Sequence, residues 1–241
     1  MIEAQNLSMR FGEHEAIPDL TFSIKPGTVV GFLGPNGAGK TTTMRLLTGF
    51  YTPASGTARI CGYDIRRKRR RAQKCFGYLP EAAGGFANLT AREFLTVCAQ
   101  ARGIRRASRH SRIERVANMT ALTPALDRRM KTLSKGWRQR AWFAQTLLHD
   151  PPVLILDEPT DGLDPNQKRL VRALIRALAP DKAILLSTHI LEEAEEVCDR
   201  AIIIAGGRKV ADDTPANLAD AKGRLSATFH DLTGSAGTER C

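Results

Sequence analysis

Hydrophobic positions along the chain fall into short dense runs set off by turn residues, with longer helical stretches between them. Residues 2–7 alternate as a half-buried strand does, and Arg10-Phe11-Gly12 places one aromatic at the turn that follows. Residues 20–24, the Lys25-Pro26-Gly27 turn and residues 28–33 read as a hairpin, and residues 56–60 and 75–79 as further short strands. From Pro80 the pattern changes: residues 81–89 form a loop rich in Gly and Ala. Thr90-Ala91-Arg92-Glu93 then has the spacing of a capping box that opens a helix to about residue 101. Residues 108–122 predict a second helix, with Ile113, Val116, Ala117 and Met119 on its apolar side.

A helix over 137–148 is cut off by Asp150-Pro151-Pro152. Residues 153–156 are a continuous apolar run of the kind that a parallel sheet buries on both faces. A helix over 170–178, a strand over 183–186, an acidic helix over 191–197 and a strand over 201–205 follow. This alternation predicts an α/β fold with a parallel, helix-covered sheet, into which the helical stretch of about 81–135 is inserted as a subdomain. Residues 234–241 read as a small, polar, frayed tail.

At 241 residues and 42% hydrophobic composition, the chain can bury one substantial core. It has no apolar run of 18 residues and no sequence of signal-peptide type, so the expected place is the cytoplasm. The five cysteines are scattered and odd in number, which predicts reduced thiols and no metal held by them. A formal net charge of +11 calls for an anionic partner. Arg66-Arg67-Lys68-Arg69-Arg70-Arg71 is one basic run, and Arg102, Arg105, Arg106, Arg109, Arg112 and Arg115 form a second cluster. A solvated surface and a membrane-facing surface are both compatible with them. Nucleic acid is not expected, because no aromatic interleaves the run to stack on bases.

The candidate chemistry centres on Gly34-Pro35-Asn36-Gly37-Ala38-Gly39-Lys40-Thr41-Thr42, between an apolar strand and a helix. Glycines there let successive backbone N–H groups turn inward, and the helix start adds its positive dipole end. Lys40 is placed to reach β- and γ-phosphates, and the Thr41 hydroxyl to hold Mg²⁺. Asp157 and Glu158 follow the run 153–156, where a parallel sheet puts its ligand-binding groups. Adjacent carboxylates point different ways, which assigns Asp157 to the metal and Glu158 to an attacking water.

These motifs, with Leu133-Ser134-Lys135-Gly136-Trp137-Arg138-Gln139-Arg140, Asp161-Gly162-Leu163-Asp164 and Ser187-Thr188-His189, stand in the order and spacing of an ABC-transporter ATPase subunit. The resemblance runs from Ile2 to about Leu218. It is most similar to the ABC-2 exporter branch in Gly77-Tyr78-Leu79-Pro80-Glu81 and Leu133-Ser134-Lys135-Gly136. It implies a phosphate-loop NTPase core with a mixed sheet over residues 1–222 and a reduced remnant over 223–241, where Phe229-His230-Asp231-Leu232-Thr233-Gly234 stands. It implies ATP and Mg²⁺ as cofactors, with Phe11 stacked on adenine and residues 34–42 on the phosphates. By the same resemblance Glu81 takes the place of a metal-sensing glutamine, and His189 contacts the γ-phosphate. Ser134 and Gly136 close over ATP held by a second subunit, and Asp164 couples the two sites. Lys135 stands where the family has a glycine more commonly, Trp137 where it has a glutamine, and Asp161 where it prefers a small polar residue. The implied partners are a second ATPase subunit, most simply an identical copy, and a separately encoded transmembrane permease, with the chain peripheral on the cytoplasmic membrane face. A non-transport ABC ATPase acting on nucleic acid or ribosomes, and a regulatory module without turnover, stand as rival readings.

Overall fold

In a computed structural model, residues 1–81, 84–220 and 223–234 are described. The expected polar tail after Gly234, with Cys241, lies outside the described residues. Two sheets form. The first is antiparallel, in the order β2 (His14–Ile24), β1 (Ile2–Phe11), β4 (Ser55–Ile60) and β5 (Tyr63–Asp64). The second has six strands: β10 (Arg208–Asp213), β9 (Arg200–Ala205), β3 (Thr28–Leu33), β8 (Ala183–Thr188), β7 (Val153–Asp157) and β6 (Phe76–Leu79). It is parallel except for β10, which pairs antiparallel with β9.

The two-sided burial expected of residues 153–156 sorts every central strand in the same way. Val29 and Leu33, Leu154 and Leu156, Ile184 and Leu186 face one core with the helices. Val30 and Phe32, Val153 and Ile155, Ala183 and Leu185 face a second core, shared with the antiparallel sheet and with α1 (Lys40–Leu47). A period of two divides each strand between the two cores.

The expected hairpin over residues 20–33 does not form. Residues 20–24 belong to β2, which pairs with β1, while residues 28–33 form β3, flanked by β8 and β9. The Lys25-Pro26-Gly27 turn therefore carries the chain from one sheet to the other. Thr28–Leu33 is apolar almost throughout and needs cover on both faces, which only a central parallel strand receives. The hairpin that does form joins β1 to β2, and Phe11 ends β1 opposite His14 instead of lying in the turn.

The first basic run is exposed and joins β5 to β6, and α2 (Arg69–Lys74) takes up its second half. Asp64 Oδ1 accepts from the backbone N–H of Arg66 and of Arg67 at the approach to that helix. In the second cluster much of the charge is spent on backbone. Arg112 and Arg115, from α4 (Arg106–Met119), donate to the carbonyls of Leu148 and Leu147 at the end of α5 (Lys135–Leu147). Cations at a helix C-terminus complement its dipole and its unpaired carbonyls. Arg102 donates to the carbonyl of Gln73 and Arg109 to that of Ile104.

The capping box at Thr90 opens α3 (Ala91–Ala101) with both of its reciprocal bonds in place. Three further helices complete the helical layer on the large sheet, α6 (Pro165–Leu178), α7 (Leu191–Val197) and α9 (Leu225–Gly234), while α8 (Pro215–Leu218) is a single turn. The motif Phe229-His230-Asp231-Leu232-Thr233-Gly234 lies in α9. This helix buries Leu225, whose N–H donates to Glu195 of α7.

Candidate active site

Strand order decides what meets at the site. β3, β8 and β7 are consecutive neighbours running in parallel, so their carboxyl ends deliver residues 34–40, Ser187-Thr188-His189 and Asp157-Glu158 to one edge. β6, next to β7, ends just before Pro80-Glu81. The loop after β3 turns through left-handed Gly37 and Gly39, and Gly39 is the N-cap of α1. A Cβ at Gly34 would lie 2.5 Å from the carbonyl oxygen of Ile204, so the chain passes β9 only because this residue is glycine.

Lys40 is buried, and its Nζ donates to the carbonyls of Gly34 and Pro35 at 2.7 and 3.2 Å. Its Nζ also lies 3.9 Å from Glu158 Oε1. Burial pulls the Lys40 ammonium below its usual range, against the opposing fields of Glu158, Asp157 and Glu81. The second oxygen of Glu158 accepts from His189 Nδ1 at 2.9 Å. Glu158 is thus held between a cation and an imidazole, on a backbone with φ of 49°.

Asp157 is fully buried. Its Oδ1 accepts from Ser187 Oγ at 2.6 Å and from Thr41 Oγ1 at 3.4 Å, while Oδ2 has no hydrogen-bond partner. Burial raises its pKa, the Ser187 bond opposes the shift, and nearby Glu81 and Glu158 add to it. Thr41 Oγ1 also lies 3.4 Å from Glu81 Oε2. An orphaned buried carboxylate oxygen, a hydroxyl and a second carboxylate form an all-oxygen set suited to Mg²⁺. They fall short of a full octahedral shell, which phosphate oxygens and water complete for this ion.

A cavity of about 440 Å³ at the phosphate loop is lined by Phe11, His14, Ala16, Lys40, Thr41, Glu81 and Glu158, among others. Phe11 is 42% exposed and meets Tyr51 in a T-shaped contact. Ser134, Gly136 and Asp164 are not in that cavity. Ser134 caps α5 by accepting from Trp137 N, and Asp164 caps α6 by accepting from Gln167 N. A Cβ at Gly136 would meet the side chain of Gln167 at 2.1 Å. Two departures from the family pattern answer each other there: Lys135 Nζ pairs with Asp161 Oδ2 at 2.9 Å across Gly162. Trp137 is half-buried against the core, with the Arg140 guanidinium over its ring.

Three groups at the site carry no assignment from the sequence: Ser187, whose Oγ also accepts from Glu158 N, and the buried pair Thr160 and Glu193. Their partners lie 29 to 33 positions away, and only the register of β7 against β8 shows the contact.

A phosphate loop on a central parallel strand, paired carboxylates two strands away and a histidine from the strand between define a phosphate-loop nucleotide hydrolase. Comparison with known proteins narrows this class. Residues 17–161, more than half of the chain, match the family model described as ABC transporter, and the chain belongs to that family as an ATP-binding domain. It is 40% identical over 218 residues to the Nod factor export ATP-binding protein I of Paraburkholderia xenovorans, spanning 90% of this chain and 72% of that protein. A solved ATP binding subunit of an ABC transporter superposes with a TM-score of 0.87 at 30% identity, over 96% of this chain and 99% of that one. A dimeric bacterial ABC transporter cassette, at 22% identity, shares the fold with a TM-score of 0.81 over 89% of this chain and 98% of its own. ABC ATP-binding proteins hydrolyse ATP.

Proposed function

We propose that the chain powers an exporter of the ABC-2 type, as one of two ATPase copies seated on a separately encoded membrane permease. The observation that carries the hydrolytic part is Glu158, 8% exposed, held between Lys40 Nζ and His189 Nδ1. In this reading Phe11 stacks on adenine, and residues 34–42 with Lys40 hold the phosphates. Glu158 accepts the proton of the water that attacks the γ-phosphate, and His189 fixes the carboxylate that does so. Thr41 and Asp157, with Glu81 beside them, would hold Mg²⁺, which when bound draws charge from the phosphate oxygens.

Export is supported by the relative named for Nod factor export. Among the described residues no helix is long and apolar enough to cross a membrane, which fits a permease on another chain. A groove of about 820 Å³, lined by Phe50, Arg69, Arg70, Arg102 and Trp142 and reaching Pro80 beside Glu81, offers that permease an apolar floor with a cationic rim. Ser134, Gly136 and Asp164 are assigned to the phosphates of a partner copy, since they stand at two helix starts outside the phosphate-loop cavity.

The test is phosphate release by the full chain. Glu158→Gln should bind ATP and lose turnover by at least about a hundredfold, as expected for loss of a positioned base. Lys40→Ala should lose nucleotide binding as well. Undiminished phosphate release by Glu158→Gln would remove the base assignment.

A further inference from the structure

Glu193, on α7, is a buried carboxylate that the hydrolytic scheme leaves without a task; it is 1% exposed. Its Oε1 accepts from Thr160 Oγ1 and its Oε2 from Thr188 Oγ1, each at 2.7 Å and each bond buried. Thr160 lies two residues beyond Glu158, and Thr188 immediately precedes His189. One side chain therefore fastens together the loop that presents Glu158 and the loop that presents His189. The bond between those two, Nδ1 to Oε2, joins the side chains directly, and Glu158 N also donates to Ser187 Oγ.

The polarity of the network explains the residue type. Thr188 Oγ1 accepts from the N–H of Ile190 at 3.1 Å, so its own proton is committed to Glu193. Thr160 likewise donates, and a group that accepts two hydroxyl protons at once on two separate oxygens is a carboxylate. A buried carboxylate is an expensive way to fill space, and an apolar side chain would pack α7 at lower cost. What the charge adds is a fixed geometry, because fully satisfied buried polar networks specify one arrangement.

We propose that Glu193 is a positioning residue for ATP hydrolysis, acting through Thr160 and Thr188 to hold Glu158 and His189 in register. This rests on the reading of Glu158 as the base and deepens it. It separates hydroxyl from shape: Thr→Val keeps the volume and removes the bond, while Thr→Ser keeps the bond and removes a methyl.

The experiment is steady-state phosphate release by the full chain, normalised to sites that bind nucleotide, for Thr160→Val, Thr188→Val, the double variant, Thr160→Ser, Thr188→Ser, Glu193→Gln and Glu158→Gln. Each Val variant should lower kcat about tenfold with KM for ATP within about twofold, the loss expected from misplacing a catalytic group by a fraction of an ångström. The Ser variants should recover wild-type kcat. The double variant should be hardly worse than either single one, since a clamp released on one side no longer fastens anything. Glu193→Gln keeps one acceptor and should fall between wild type and the Val variants. Wild-type kcat in both Val variants, with Glu158→Gln inactive, would overturn the clamp and leave the base standing. Turnover by Glu158→Gln would overturn both. Equal losses in Ser and Val variants would reduce Thr160 and Thr188 to packing and would also refute the proposal.

Discussion

Asp157 shows at the scale of one residue how the metal-holding role proposed for it opposes stability. Its carboxylate is buried, one oxygen has no partner, and its pKa is raised chiefly by burial. A carboxylate raised in the native state binds its proton more tightly there than in the unfolded chain. Its contribution is therefore fully present below the ordinary carboxylate range and is lost as pH rises through the raised value. At neutral pH the protein without nucleotide carries that loss. Asp157→Asn should melt higher than wild type at pH 7 in the absence of nucleotide, and the gap should narrow on going toward pH 4. The same variant should lose the extra rise in melting temperature that Mg²⁺ adds to ATP. Thermal melts with and without Mg²⁺ check both signs; a lower-melting variant at pH 7 would show that Asp157 is held by partners better than its geometry indicates. Its place at the end of an apolar strand was legible in the sequence. Ser187, which satisfies its other oxygen, was not, because their contact exists only once β7 lies beside β8. Lys135 and Asp161 were each visible as a departure from the family pattern, but nothing in a separation of 26 positions announced that they pair.

At the scale of elements, the edge strand β6 shows how a packing decision places Glu81, the carboxylate proposed to stand beside the metal. β6 pairs with β7 on one side only, and the carbonyls of Phe76 and Tyr78 on its free side accept from His149 Nε2 and Gln145 Nε2. Side chains from the end of α5 and just beyond it thereby close an edge that would otherwise recruit another strand. The approach is so close that a Cβ at Gly77 would sit 2.2 Å from the carbonyl oxygen of Thr146. Gly77→Ala should cost about 1–3 kcal/mol, the usual range for overpacking, and should disturb Glu81 four residues on. Chemical denaturation checks the first, and the Mg²⁺ dependence of turnover the second. His149 adds a pH signature. Burial first, then the field of Arg102, push its pKa down to about 4, so its neutral form belongs to the fold. That contribution is complete above the ordinary histidine range and is lost as pH falls from there toward about 4. Urea midpoints should therefore drop less steeply between pH 7 and pH 4.5 in His149→Gln than in wild type, and identical slopes would place the acid sensitivity elsewhere. Long periodic elements were legible here, as α3 with its capping box and β7 with its apolar run show. Pairing between elements was not: residues 20–33 carry two strand signals and a turn, and nothing local says that the turn changes sheets.

For the whole molecule, the parallel strands bring together only part of the set of residues assigned to ATP. The phosphate loop, Asp157, Glu158 and His189 share one edge, while Ser134, Gly136 and Asp164 stand at the starts of α5 and α6, outside that cavity. If those helix starts serve a second copy, each active site is made from two chains. Homodimers of Lys40→Ala and of Ser134→Arg should then both be inactive, because each has two damaged sites. In a mixed dimer one site combines both lesions, and the other joins an intact phosphate loop to an intact helix start. Random pairing makes about half of the dimers mixed, each with one good site of two, so turnover should recover to roughly a quarter of wild type at most. The measurement is ATP hydrolysis by the whole co-expressed population of the two variants with different tags; mixed dimers isolated by tandem capture should reach roughly half of wild type at most. Activity well above either variant alone requires a site shared between chains, since no rearrangement within one chain restores a missing Lys40. Inactive mixed dimers, verified by both tags, would mean either that the site is complete within one chain or that two sound sites must fire together. Repeating the mixture with wild type in place of Ser134→Arg separates these outcomes. One sound site suffices in the first case, and activity collapses to that of the wild-type homodimers in the second.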